Sequence, residues 1–315
     1  VAVGSPLART APQTNTRAGL LRPARSPMSP ALTPWLFLLP AVAIYAFVVI
    51  YPTIYTGWLS LHVWDGISPR IRYVGLQNFV DLFTIDRVFW IAVKNTSLWA
   101  VGGVAIPMSL GLALALALNR PFRGFKAFRA LFYLPAILSL SLTGLVWSWI
   151  YHPTLGLLNQ ALTSVGLDSW THAWLAEPRI ALYPMMIAAA WHNAGLPMVL
   201  YLAGLQTVPQ DAVEAARLDG ASRFQVFRYM TLPLLRETHL VVFAIMMINS
   251  LKVYDIIYVM TYGGPANQTQ VLSTWMYFQT FNFNKVGMGT AIAVLLLAFT
   301  VIFAAPYVRY MSRKP

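Results

Sequence analysis

Six long apolar runs alternate with shorter polar segments along the chain, at approximately 35–57, 93–118, 130–151, 180–205, 240–262 and 288–308. A helix needs about 20 apolar residues to cross the hydrocarbon core of a bilayer, and each run meets that length. The pattern predicts an all-α, polytopic membrane protein with six transmembrane helices. Proline interrupts several runs, at Pro40, Pro107, Pro135, Pro184 and Pro197. Inside a membrane such breaks are tolerated, because neighbouring helices take up the freed carbonyls.

Composition narrows the picture further. Of 315 residues, 58% are hydrophobic and 10% are charged, against about 25% charged in a soluble domain. Water-soluble enzyme classes are thereby disfavoured, and a chain without cysteine has no disulfide framework, thiolate metal site or cysteine nucleophile. The charges are unbalanced, 22 basic against 10 acidic, for a net +12. Fifteen of the 22 basic residues fall in the N-terminal segment, the second and fourth connections and the C-terminal tail; six fall in the first, third and fifth connections, and Lys252 lies within a run. This asymmetry predicts cytoplasmic N- and C-termini. Basic residues spread over four segments, rather than gathered in one aromatic-interleaved patch, argue against nucleic acid as a partner.

Residues 1–33 are rich in Arg, Pro, Ser and Thr and read as a flexible basic cytoplasmic extension. The apolar run that follows is longer than a signal-peptide core, which favours a retained anchor over a cleaved leader. Residues 34–311 form the six-helix domain, and 312–315 a cytoplasmic tail.

The fourth connection, 207–233, carries the densest pattern. Pro209 suits the first turn of a helix, with Asp211 and Glu214 favourably placed near its positive end. Gly220 is a natural stop, Ser222 a cap for a second short helix bearing Phe224, Phe227 and Tyr229, and Pro233 closes the segment. The expectation is a helix–glycine–helix elbow whose apolar groups no local core obviously buries. From the residues alone it is either an amphipathic element resting on lipid headgroups or a docking knob for a cytoplasmic partner.

The run Glu214-Ala215-Ala216, Asp219-Gly220-Ala221 and then Leu232-Pro233 resembles the EAA loop of ATP-binding-cassette (ABC) importer permeases, in the carbohydrate-uptake branch with the maltose and glycerol-phosphate permeases. The resemblance extends from about Leu32 to Tyr310, through Tyr51-Pro52, Val74–Phe79, Leu134-Pro135, Gly156–Asn159, Leu202–Gln206, Tyr254-Asp255 and Gly263-Gly264-Pro265. One departure is visible after Leu232-Pro233, where that branch often carries a further proline and Arg236-Glu237 stands here. The resemblance implies a type I ABC importer permease fold in the bacterial inner membrane. It implies that Glu214, Ala215, Ala216, Asp219, Gly220, Ala221, Phe224, Phe227, Leu232 and Pro233 form the coupling surface for an ATPase subunit. It also implies as partners two ATPase copies, a second permease and an extracytoplasmic solute-binding protein.

The chain has no G-x-x-x-x-G-K-[ST] loop for a nucleotide, and its five histidines lack metal-ligand spacing. No cofactor is expected in this chain; ATP and Mg would be held by the partner ATPases, and the chain itself is not expected to be an enzyme. Polar groups at membrane depth are costly and mark a path. By position along their runs these are Trp191 and Asn193 in the fourth, and Asn249, Lys252 and Asp255 in the fifth. Lys252 and Asp255, three residues apart, are expected to share a helix and pair. His192 reads as a hydrogen-bonded packing residue, and Trp147, Trp149 and Tyr151 as an interfacial aromatic belt. The rival reading is an ion-gradient-driven secondary transporter, which needs an embedded ion site and internal repeats. A scaffold whose elbow lies on lipid is a second rival.

Overall fold

The computed structural model describes residues 33–119 and 122–312; the proposed extension up to residue 32 and the tail beyond Ser312 lie outside them. The chain divides into two compact units, the first ending at Pro52 and the second covering Thr53–Pro315. In the first, Thr33–Tyr45 is α-helical and Ala46–Ile50 is a π-helical turn.

Among the described residues, three helices are each long and apolar enough to cross a membrane: α1 (Trp35–Leu59), α3 (Arg87–Leu118) and the long apolar part of α14 (Val286–Ser312). Three bent pairs complete the set of six when each pair counts as one span. They are α4 (Phe125–Ile137) with α5 (Leu140–Ile150), α7 (Leu182–Asn193) with α8 (Gly195–Gln206), and α10 (Arg223–Leu234) with α11 (Arg236–Leu251), bent by 101°, 43° and 68°. Shorter helices lie between them: α2 (Gln77–Thr84), α6 (Leu157–Ser164), α9 (Gln210–Leu218), α12 (Asp255–Thr261) and α13 (Leu272–Tyr277). Among the described residues the architecture is all-α apart from one antiparallel ladder, β1 (His62–Val63) with β2 (Arg72–Tyr73), in which His62 faces Tyr73.

Two of the runs are broken rather than continuous, and the first break has a local cause. Pro135 lies in a 3₁₀ turn, and Ser139 turns to extended backbone and caps α5 by accepting from the Leu142 N–H at 3.2 Å. The chain thus stops and restarts within the run 130–151. The run 240–262 is also discontinuous. Helix α11 ends at Leu251, and the Val253 carbonyl accepts from the Ser273 hydroxyl instead of from a following helical N–H. Tyr254, at φ −144°, then leads into α12. The bend at Leu235 falls where the sequence carries Arg236-Glu237 in place of a second proline.

Helix α3, roughly 48 Å long at 1.5 Å per residue, contributes to three cores. With α8 and α11 it encloses Met198, Tyr201, Leu235 and Met246. Trp99 joins Met185, Ile256 and Ile257 of α7 and α12, and Phe89 and Ala92 join Trp275 of α13 and Ile292 of α14. The crossing of α3 with α8 depends on Gly111, where a Cβ would stand only 2.8 Å from the Met198 nitrogen.

Candidate functional site: the elbow and the central crevice

The elbow is built by local rules. Pro209, in extended backbone, precedes α9. At the far end Gly220 takes φ +88°, the left-handed region where a side chain is strained. Its N–H donates to the Arg217 carbonyl at 3.1 Å, and the Ala221 N–H reaches back to the Ala216 carbonyl at 3.0 Å. These are the paired bonds of a Schellman turn, and the apolar contact that accompanies such a turn joins Ala216 to Ala221. Ser222 then opens α10 with a full capping box: it accepts from the Gln225 N–H, and the Gln225 side chain accepts from the Ser222 N–H at 2.8 Å.

Contrary to the sequence expectation, the elbow has a core of its own. Val208, Val213 and Val226 are buried together, with Ala216, Ala221 and Met230 packed against them. Val213 and Val226, each four positions beyond its cap residue, turn inward, so the opposite face of α9 turns out: Asp211, Glu214, Ala215 and Leu218 are exposed. Leu218 is 89% exposed, and Phe224 and Tyr229 are each 72% exposed. Phe227 and Leu232 are half-buried, while Asp219, Gly220 and Pro233 are open. Neither Asp211, Glu214 and Asp219 nor Arg217, Arg223 and Arg228 form an ion pair among the described residues. Behind the elbow lies a cavity of about 1020 Å³, walled by Arg217, Arg223 and Phe227 on one side and by Leu116 and Asn119 of the α3 end on the other.

The polar residues at membrane depth separate into groups. Asn193 and Asn249 come together, lining a crevice of about 20 Å³ with Ser250, Trp99 and Gly103. That is room for about one water. Asn193 donates to the Ala189 carbonyl at 2.8 Å, and Ser250 to the Met247 carbonyl at 2.9 Å. Trp191 does not line this crevice; its ring meets that of Trp147 edge-on at 5.7 Å. The expected Lys252–Asp255 pair is absent. Lys252 caps the end of α11 and Asp255 opens α12, so the break at Val253 removes the shared helix that would align them. Both side chains are exposed. His192 bonds to the Thr143 hydroxyl at 3.0 Å, tying α7 to α5. Of the three aromatics at the end of α5, Trp149 is exposed, whereas Tyr151 is buried and donates to the Pro184 carbonyl at 3.1 Å.

Residues 105–313 match the model of the binding-protein-dependent transport system inner membrane component family. The chain is 36% identical to a probable ABC transporter permease of Pyrococcus horikoshii, over 92% of this chain and 98% of that one. The chain belongs to this family. The permease is also 34% identical to the trehalose/maltose transport system permease MalF of Thermococcus litoralis, over 85% of this chain and 91% of that one. It shares 33% identity with the diacetylchitobiose uptake permease NgcF of Streptomyces coelicolor, over 85% and 79% of the two chains. A solved bacterial alginate ABC transporter, in complex with a periplasmic protein carrying alginate pentasaccharide, has the same fold, with a TM-score of 0.76 over 90% of the permease and 94% of that chain at 23% identity.

Sequence reasoning missed two networks in the permease. Asn95 donates to the Gln268 and Gln270 carbonyls, both at 2.8 Å, and Thr96 accepts from the Leu272 N–H at 2.9 Å, so α3 holds the strand-like approach to α13. Asn95 begins a glycosylation sequon by sequence; its side chain is committed inside. Asp86 caps α3 through the Phe89 N–H and also accepts from the Trp275 indole at 2.8 Å. The partners lie more than 170 positions away, and no local spacing announces them. A third cluster had a visible signal. Tyr254, Tyr258 and Tyr262 recur every four residues, with ring centroids 5.2 and 4.7 Å apart, and Tyr277 touches the first two.

Proposed function

We propose that the permease carries a sugar or sugar derivative across the bacterial inner membrane, taking it from an extracytoplasmic solute-binding protein. It would work in a complex with a second, different permease chain and two ATPase subunits that bind ATP and Mg. The sugar class is supported by relatives named for trehalose/maltose and for diacetylchitobiose. In this reading both termini are cytoplasmic, residues 1–33 form a basic extension, 34–311 the permease domain and 312–315 the tail.

The observation that carries the coupling role is the geometry at Gly220. A turn locked by two backbone bonds and a small private core holds Glu214, Leu218 and Phe224 outward, where no partner meets them among the described residues. Exposed apolar groups beside unpaired charges are the signature of a docking surface rather than of a solvated loop. ATPase closure around ATP would press on this elbow, and because the elbow moves as a unit the push would reach α11 through the bend at Leu235. Asn193 and Asn249, on the two bent elements α7 and α11, would then part to widen the crevice for a hydroxylated solute.

The test is Glu214→Lys in the reconstituted complex. Solute-stimulated ATP hydrolysis and uptake are expected to fall about tenfold, as for loss of a charged interfacial contact, with the chain still inserted in the membrane. Full uptake with the ATPase still co-purifying would defeat the coupling role. The solute class is tested separately, by sugar binding to the partner solute-binding protein.

A further inference from the structure

A groove of about 750 Å³ opens between the last turn of α5, helix α6, the segment 170–180 and the first turns of α7. Its walls include Trp147, Leu157, Ala161, Trp174, Tyr183 and Ile187. The groove is at the end of the bundle opposite the elbow: α7 and α8 together put about 24 residues, or roughly 36 Å of helix, between them. Tyr183 and Ile187, one turn apart, are each more than half exposed, so the groove continues onto the outer face of a membrane-depth helix.

Three observations say what the groove takes. First, three of its polar tips are already spent. The Tyr151 hydroxyl donates to Pro184, the Trp174 indole donates to Asn159 Oδ1 at 2.7 Å, and His172 Nδ1 meets Glu177 Oε1 at 3.1 Å. A hydroxylated solute needs convergent polar groups to orient it, and here it would find ring faces and methyls. Second, the wall residue Trp170 is 65% exposed, an aromatic of the kind that sits at headgroup level. Third, Arg179 stands next to the wall residue Ile180, exposed and in no ion pair among the described residues. An arginine fork is suited to a phosphate diester.

We infer that this groove binds one membrane glycerophospholipid, an acyl chain lying along Trp147, Ala161 and Ile187 and the phosphate reaching Arg179. The bound lipid wedges α6 and the 170–180 segment against α5 and α7, filling a gap that the chain's own side chains leave open.

The test uses the complete transporter in vesicles of phosphatidylethanolamine with a minor share of phosphatidylglycerol. A trace phospholipid carries a photoactivatable diazirine on one acyl chain, and labelled peptides are mapped after irradiation. Label is expected to concentrate on peptides containing Leu157–Ala161 and Tyr183–Ile187, above the level on the equally apolar α14. Ala161→Trp fills the groove, and the lost burial of a few methylenes should lower that label about tenfold, with α14 unchanged. Arg179→Glu, at an exposed position that leaves the fold intact, should lower it about threefold by repelling the phosphate. Equal labelling of all apolar faces, or label indifferent to both substitutions, overturns the proposal. So does cross-linking of Ile187→Cys, unique in this cysteine-free chain, to the second permease, because a protein side chain would then own the groove.

Discussion

The elbow and the central crevice are built in opposite ways. The bonds of the elbow's turn and cap and its small core join residues between Val208 and Met230. The crevice is walled by α3, α5, α7 and α11, whose contributing residues run from Trp99 to Val253. The elbow hides small aliphatic groups and displays large ones; of the amides that line the crevice, Asn193 is half-buried and Asn249 exposed. A locally closed unit transmits a push without deforming. A cavity held only by long-range packing changes shape when its walls tilt, and three of its four walls are segments of bent pairs. In the proposed mechanism the elbow would be the stiff point where force enters and the crevice the compliant path.

Gly220→Val is the most severe way to break this contrast. Open space surrounds the glycine, so only backbone strain opposes the change. A β-branched residue held at φ +88° costs about 1–2 kcal/mol or more. Solute-stimulated ATP hydrolysis is expected to fall at least about tenfold, with membrane insertion intact. Gly220→Asn, tolerant of left-handed backbone, should keep most of the activity. If valine and asparagine behave alike, the turn is not what matters.

Smaller effects are expected from the cap. Ser222→Ala removes the acceptor for the Gln225 N–H, costing about 1 kcal/mol locally. Amide exchange should quicken through 222–226 and stay unchanged around Asn193 and Asn249; acceleration at both would show that the two regions are one cooperative unit. In the crevice, Asn193→Ala and Asn249→Ala should each raise the KM for uptake by about three- to tenfold, as for a lost hydrogen bond, without changing the ATPase activity of the unliganded complex. An unchanged KM in both variants would remove the crevice from the path.

How much of this was legible in the sequence follows the same division. Pro209, Gly220, Ser222 and Pro233 announce their conformations within three or four residues, and the elbow took the predicted form. Its private core was missed because Val208, Val213 and Val226 meet only once the turn has closed. Five of the six apolar runs mapped onto candidate spans, while 240–262 breaks after Leu251, because hydropathy does not see where a ladder of bonds is interrupted. Ser139 reads as an ordinary small residue inside a membrane run, yet it caps a new helix after a bend of 101°. The break at Val253 depends on Ser273, twenty residues away, and the anchors Asn95 and Asp86 depend on partners farther still. Trp191 was grouped with Asn193 by proximity in sequence, although adjacent helix positions face apart and the indole turns to Trp147.

Lys252 and Asp255 give the finest test of the comparison, because their separation follows from the break alone. On a continuous helix, residues three apart are neighbours, and an ion pair between them would couple their substitutions by about 0.3–0.5 kcal/mol or more. Here one ends α11, the other begins α12, and neither contacts the other. Lys252→Ala and Asp255→Ala should therefore act additively, with no recovery in the double variant, on transport and on thermal stability. A double variant that recovers what either single loses would mean that the chain closes the break and brings the charges together in another state of the cycle. The compliance assigned to the crevice would then extend to α11 and α12 themselves, and the hinge would be Val253 rather than Leu235.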